Sequence, residues 1–172
     1  GEIEGKLEIY GKRCKEIFEH SKYVGTVLQD SDAQFVGLTV AEDIAFALEN
    51  DEVETTVMKE KVKEIAQFVR IETLLDLKPQ DLSGGQKQKV SLAGIMVDNA
   101  KIVLYDEPLA NLDPLSGKYA IELISELHKD KKLTTIIIEH RLEDVLHREI
   151  DRIIVVDKGR IIADDTPDNI LK

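Results

Sequence analysis

Across 172 residues, 23 Lys and Arg stand against 34 Asp and Glu, a net charge of −11, and 42% of the chain is hydrophobic. That length supports one sizeable core and is short for two ordinary domains, and the acidic balance disfavours non-specific attraction to nucleic acid or anionic lipid. The single cysteine, Cys14, excludes an internal disulfide framework or thiolate metal site and fits a reducing compartment.

The chain opens with Gly1-Glu2-Ile3-Glu4-Gly5, which has neither the charged nor the apolar region of a signal peptide, and reads as the continuation of something upstream. Residues 2–12 alternate apolar and polar around Ile3, Leu7 and Ile9, predicting short strands in a hairpin-rich patch, and residues 23–28 form the next strand candidate. Thr39-Val40-Ala41-Glu42 has the form of a capping box, and Val40, Ile44 and Leu48 share one helical face, so a helix is expected over residues 40–50. Residues 54–69 carry Val57, Val62, Ile65, Ala66 and Val69 among charges, an amphipathic helix, with a short helix expected near residues 73–77. From Leu82 onward, helical patterns alternate with apolar strands at residues 102–105, 133–138 and 153–156, the pattern of a parallel sheet with crossover helices. Asp157-Lys158-Gly159 reads as a hairpin turn into a strand over residues 160–163, and Thr166-Pro167 starts a last short helix. The apolar runs at residues 102–105 and 133–138 fall far short of the roughly 20 residues that cross a bilayer, so no direct membrane span is expected.

Four places carry candidate chemistry. Ser83 followed three residues later by Gln86 is a capping box, and the same helix start, with Gly84 and Gly85, lets backbone N–H groups approach an anion to which Ser83 adds a hydroxyl donor. The run Ile102-Val103-Leu104-Tyr105-Asp106-Glu107 puts an acidic pair where a buried parallel strand would end. There Asp106 can hold Mg²⁺ directly or through water, and Glu107 can polarise an attacking water, which is what phosphoryl transfer asks of a protein. His140 follows the next strand, where an imidazole can bond a terminal phosphate or the attacking water. His20, His128 and His147 lack such context and read as surface residues. Gln29, after the strand at residues 23–28, is either a turn residue or a Mg²⁺ ligand through its amide oxygen. Phe35, Val36 and Leu38, in the polar stretch beyond it, are either exposed contacts for a partner or anchors of the loop on the core.

A phosphate loop of the form Gly-x-x-x-x-Gly-Lys-Ser/Thr is absent from the sequence. Gly5 and Gly11 are separated by five residues rather than four, and Arg13 stands at the Ser/Thr position, where it cannot ligate Mg²⁺.

The order Gln29, Leu82-Ser83-Gly84-Gly85-Gln86, Asp106-Glu107, Asn111-Leu112-Asp113, His140 resembles the ATP-binding cassette (ABC) ATPases, as Q-loop, signature, Walker B, D-loop and switch histidine. Val27-Leu28-Gln29-Asp30-Ser31-Asp32-Ala33-Gln34-Phe35-Val36-Gly37 and Val40-Ala41-Glu42-Asp43-Ile44-Ala45-Phe46 look most like the energy-coupling factor group, whose ATPases drive uptake of cobalt, nickel or vitamins. Glu139-His140-Arg141-Leu142-Glu143-Asp144-Val145-Leu146 is similar to the N-terminal half of tandem members of that group. Lys89 stands where an arginine is common, keeping the charge without the bidentate fork.

The resemblance implies an α/β fold: a P-loop NTPase-like core with a helical signature subdomain and N-terminal strands of an antiparallel β subdomain, truncated at its N-terminus. Residues 1–172 would form one incomplete ABC ATPase domain, with 1–28 the β remnant and Q-loop strand, 39–100 the helical subdomain, and 101–172 the α/β core. It further implies ATP and Mg²⁺ as cofactors. Glu107, His140 and Gln29 would be catalytic, Asp106 and Gln29 metal ligands, and Ser83, Gly84, Gly85, Gln86, Asn111, Leu112 and Asp113 nucleotide-binding. The implied partners are a second ABC ATPase domain, head to tail, and a transmembrane subunit, with no nucleic acid, in the cytoplasm at the inner face of the cell membrane. Without the phosphate loop and the strand that accompanies it, the chain alone is expected to be inactive and either marginally stable or self-associating. Two other functions remain open: a non-transport ABC ATPase, and a non-catalytic module lending its signature to a partner.

Overall fold

The computed structural model describes residues 5–13, 23–28, 35–97, 100–110 and 112–172. Cys14, His20, Gln29 and Asn111 lie outside the described residues. The chain divides into two compact units, Gly1–His140 and Arg141–Lys172.

The first unit begins with a hairpin of β1 (Glu8–Ile9) and β2 (Lys12–Arg13), paired antiparallel. Its two turn residues, Tyr10 and Gly11, have φ of 51° and 72°. Positive φ at both positions suits the right-handed twist of the flanking strands. β3 (Val24–Val27), β4 (Ile102–Asp106) and β5 (Thr134–Ile138) form a parallel sheet in that order, with Val27 opposite Tyr105 and Asp106 opposite Ile138. All three strands therefore end on one edge, and the residues that follow them are delivered to the same place.

Among the described residues three α-helices lie between β3 and β4: α1 (Val40–Asn50), α2 (Thr55–Phe68) and α3 (Gly84–Val97). Thr39 and Glu42 close the capping box at the start of α1, with Glu42 N 3.3 Å from the threonine hydroxyl and Thr39 N 3.1 Å from the glutamate carboxylate. Val40, Ile44 and Leu48 on α1 pack with Val62, Ile65 and Ala66 on α2 and with Val90, Ala93 and Val97 on α3 in one apolar cluster. Each fully buried side chain of this size stabilises by roughly 1.5–3 kcal/mol. Gly25 lets α3 lie against β3: a Cβ there would come within 2.0 Å of Ile95 Cγ2.

The short helix expected at residues 73–77 is instead a single 3₁₀ turn at Glu72–Leu74. Leu75 and Leu77 turn their carbonyls to the first N–H groups of α1, accepting from Ala41 N and Val40 N at 2.9 Å each. Those N–H groups have no partner within their own helix, so satisfying them competes with continuing a local helix. The approach to α1 is tied down in the same manner: Asp43 accepts from Val36 N and Gly37 N, and Glu42 from Leu38 N and Thr39 N. Gly37 fits there because a Cβ would meet Asp43 N at 2.3 Å. Phe35 packs on the helical cluster, whereas Val36 and Leu38 are 61% and 79% exposed.

α4 (Pro114–Lys131) crosses from β4 to β5. Its Leu127 is fully buried, and His128 bonds Thr135 Oγ1 at 3.3 Å while half-buried, so it is not the surface residue expected. Among the described residues β5 forms one side of the sheet, and its Ile136 and Ile138 are 49% and 56% exposed.

The second unit contains α5 (Leu142–Val145), β6 (Ile153–Asp157), β7 (Arg160–Asp165) and α6 (Pro167–Ile170). The hairpin expected at Asp157-Lys158-Gly159 is present, with β6 paired antiparallel to β7 through a turn at Lys158 and Gly159, whose φ are 46° and 73°; the parallel pairing also expected of residues 153–156 is corrected. A two-residue turn can join only antiparallel neighbours. Arg152 grips Asp164 in a two-pronged ion pair, with Nη2 to Oδ2 at 2.6 Å. That pairing holds the Asp164 carboxyl below its usual range. Asp165 accepts from Asn169 Nδ2 and Thr166 N and is lowered likewise, chiefly by Asn169.

Candidate functional site

Glu107 is the first residue past β4 and His140 the second past β5, so the paired strand ends place them face to face. His140 Nε2 lies 3.0 Å from Glu107 Oε1. The contact joins an imidazole nitrogen and a carboxyl oxygen directly, at hydrogen-bond distance. The Glu107 side chain is 30% exposed and that of His140 80%, which leaves both within reach of a ligand. Glu107 N donates to Ile138 O at 2.9 Å, extending the ladder by one rung, while its φ of 48° turns the chain sharply out of the sheet. A non-glycine residue in that region costs of order 1–3 kcal/mol and is kept only where the surroundings enforce it.

The surroundings that enforce it are hydrogen bonds to the next three residues. Gln88 Nε2, on α3, donates to Pro108 O. Leu109 N donates to Glu139 Oε2 at 3.2 Å, and Ala110 N returns to Glu107 O at 3.1 Å. Leu109 itself is fully buried and lies 3.6 Å from the point where a Cβ on Gly117 would sit, pinning the turn onto α4. Glu139 and Gln88 were not singled out from sequence. The available signal was a carboxylate immediately before His140 at a strand end and an amide one turn into the signature helix.

The signature residues form the start of α3. Ser83 N donates to Gln86 Oε1 at 2.8 Å, and Gln86 N lies 3.4 Å from Ser83 Oγ, so the capping box is present. Gly84 and Gly85, in the first turn, have no carbonyl within the helix to donate to, and a Cβ at Gly85 would face open space. An anion can therefore approach this backbone closely. Ser83, Gly85 and Gln86 line a cavity of about 230 Å³ together with Tyr105 and Pro108, which brings the signature to the turn after Glu107. Burial pushes the Tyr105 hydroxyl far up, so it stays neutral in this cavity.

Asp106 is half-buried at the end of β4. Among the described residues no three His, Cys, Asp or Glu side chains form a metal-binding group. Mg²⁺ is commonly held by one or two carboxylates with substrate phosphates and water, so a lone Asp106 suits it without such a cage. Leu112 is half-buried. Asp113 caps α4, accepting from Leu115 N at 3.0 Å and Ser116 N at 3.1 Å. The Ser116 hydroxyl, then the Ser116 backbone N–H, hold its carboxyl below the usual range. The structure thus joins Glu107 to His140 and the signature to the turn beyond Glu107; Gln29 and Asn111 lie outside the described residues.

Residues 2–110 match the ABC transporter family. The chain is 59% identical over 172 residues to a putative ABC transporter ATP-binding protein of Clostridium perfringens, covering 99% of this chain and 30% of that protein. It is 55% identical over 174 residues to another from Enterococcus faecalis, covering 100% of this chain and 31% of that protein. The chain therefore spans about a third of the length of these curated relatives. Among solved structures, cbiO1 from Clostridium perfringens, part of the ABC transporter complex cbiONQ, superposes with a TM-score of 0.90 at 29% identity, over 98% of this chain and 68% of that one. By its fold and by these likenesses, the chain belongs to the ABC transporter family, as an ATP-binding cassette of the P-loop NTPase type.

Proposed function

We propose that this chain is the nucleotide-hydrolysing part of an energy-coupling factor type importer, using ATP hydrolysis to drive uptake of a metal ion or vitamin. The observation that carries the reading is the 3.0 Å contact between His140 and Glu107 at adjacent strand ends. Phosphoryl transfer to water needs a positioned nucleophile and neutralised charge more than covalent help. Glu107 orients and polarises the attacking water, and His140, mostly exposed, turns its imidazole to the terminal phosphate or that water. Asp106 and Gln29 are the candidate holders of Mg²⁺, which neutralises phosphate oxygens when bound. Ser83, Gly84, Gly85 and Gln86 contribute donors to a nucleotide, with Asn111, Leu112 and Asp113 alongside.

In this reading residues 1–28, 39–100 and 101–172 are the β remnant, helical signature subdomain and α/β core of one domain. Two such domains act head to tail on a transmembrane subunit, at the cytoplasmic face of the membrane. The superposition on cbiO1, itself part of a transporter complex, supports that assembly. Among the described residues no helix is long and apolar enough to cross a membrane. The exposed Val36 and Leu38, held out by the carboxylates of Asp43 and Glu42, suit contact with the membrane subunit. Because the sequence contains no Gly-x-x-x-x-Gly-Lys-Ser/Thr, the 172-residue chain by itself is proposed not to turn over ATP.

The test is steady-state ATP hydrolysis by the full-length natural protein with and without Glu107→Gln. A fall of order 10²–10³ in kcat is expected, and undiminished turnover by the variant would refute the assignment. Turnover by the isolated chain that depends on Glu107 would refute its inactivity.

A further inference from the structure

Nothing in the sequence attaches a role to Glu139, yet its carboxylate sits at the junction of the site. One oxygen accepts from His140 N at 2.8 Å and the other from Leu109 N at 3.2 Å. We propose that Glu139 is a positioning residue: by tying the backbone of His140 to that of Leu109, it sets the separation of the Glu107 and His140 side chains. The inference rests on the proposed roles of those two residues.

The geometry makes Glu139 a brace between two chain segments that are joined just beyond the strands by the Glu107 N to Ile138 O rung. Glu107 N reaches Ile138 O, after which the chain past β4 turns away at the positive φ of Glu107. Two residues later Leu109, fully buried and so fixed in place, is brought back to the end of β5 by the Glu139 carboxylate. The same carboxylate holds the amide of His140, whose side chain is 80% exposed and has little packing to orient it. Removing one acceptor loosens either the turn that carries Glu107 or the backbone that carries His140. Both changes shift the 3.0 Å contact. Misplacement of reacting groups by about 1 Å can cost of order 10² in rate.

Glu139→Gln separates positioning from simple support, because an amide presents one acceptor oxygen and one donor nitrogen. It can satisfy one of the two backbone N–H groups and opposes the other. Glu139→Asp keeps two acceptors on a shorter arm. In the full-length natural protein, Glu139→Gln is expected to lower kcat for ATP by about tenfold or more with KM within about twofold, and Glu139→Asp to recover kcat to within about threefold of wild type. Thermal midpoints should move by no more than a few degrees. Wild-type kcat in Glu139→Gln, a KM rise that accounts for the loss, or turnover lost only in step with unfolding would each overturn the inference. Glu107→Gln assayed alongside distinguishes the two levels: if it turns over like wild type, the proposed function has failed, whereas if it is inactive and Glu139→Gln is not, only the role of Glu139 has failed.

Discussion

In the helical layer Val40, Ile44, Val69 and Val90 have no appreciable exposed surface, whereas at the strand ends Glu107 keeps 30% of its side chain exposed and His140 80%. The helices are held by interlocking apolar side chains. The site is held by hydrogen bonds running from the side chains of Glu139 and Gln88 to the backbone around Glu107. The first kind of order resists unfolding, and the second sets direction without closing the site to a ligand. Substitutions in the two regions should therefore fail in different ways.

The largest stability effect belongs to the helical layer. Ile44→Ala removes a side chain with no exposed surface from the middle of the apolar cluster. It should cost about 2–5 kcal/mol in urea unfolding. In the full-length protein, kcat per folded molecule should be unchanged; a fall in kcat without a stability loss would erase the distinction between the two regions. Gly25→Ala comes next, at the junction of layer and sheet, where the new methyl meets the branch point of Ile95. About 1–3 kcal/mol is expected, with part of it recovered when Ile95→Ala is added. Independent, additive costs would mean that α3 does not ride on β3 as described.

The same contrast governs what the sequence revealed. Helix α1 was readable because its signals are local: Thr39 and Glu42 for the cap, and Val40, Ile44 and Leu48 for the buried face. The ends of β4 and β5, and with them Glu107 and His140, were readable from an apolar run stopping at charge. Residues 73–77 were misread because their carbonyls serve α1, a segment some 35 residues upstream. The hairpin at Asp157-Lys158-Gly159 was readable because its turn residues are local, whereas apolar periodicity alone, which placed residues 153–156 with the parallel strands, does not encode strand direction. The positioning proposed for Glu139 rests on two backbone N–H groups, one of them 30 positions away, and no side-chain pattern encodes those.

A smaller stability effect is expected at Asp113, an exposed residue whose hydrogen bonds to Leu115 and Ser116 are local. Its carboxyl is held below the usual range by the Ser116 hydroxyl and by the backbone N–H groups of Ser116 and Leu115. A lowered folded-state value means that the stabilisation is present above the unfolded value, about pH 4, and is lost as pH falls through the folded one. The stability gap between wild type and Asp113→Ala should therefore be open at pH 7 and close below about pH 4. A gap that persisted into strong acid would show that the cap owes nothing to the charge.

The smallest effect should come from an apolar residue that the layer comparison marks as different from Ile44. Ile136 on β5 is 49% exposed and stands on the same face of the strand as Ile138, at 56%. A lysine there keeps an apolar stem along the strand while its ammonium reaches water. Ile136→Lys should move the unfolding free energy of the 172-residue chain by no more than about 0.5 kcal/mol. It should also lower any self-association seen by light scattering, since a charge on an exposed strand opposes edge-to-edge pairing. A cost comparable to that of Ile44→Ala would instead mean that this face is covered in solution, and that the sheet, like the helices, draws its stability from packing.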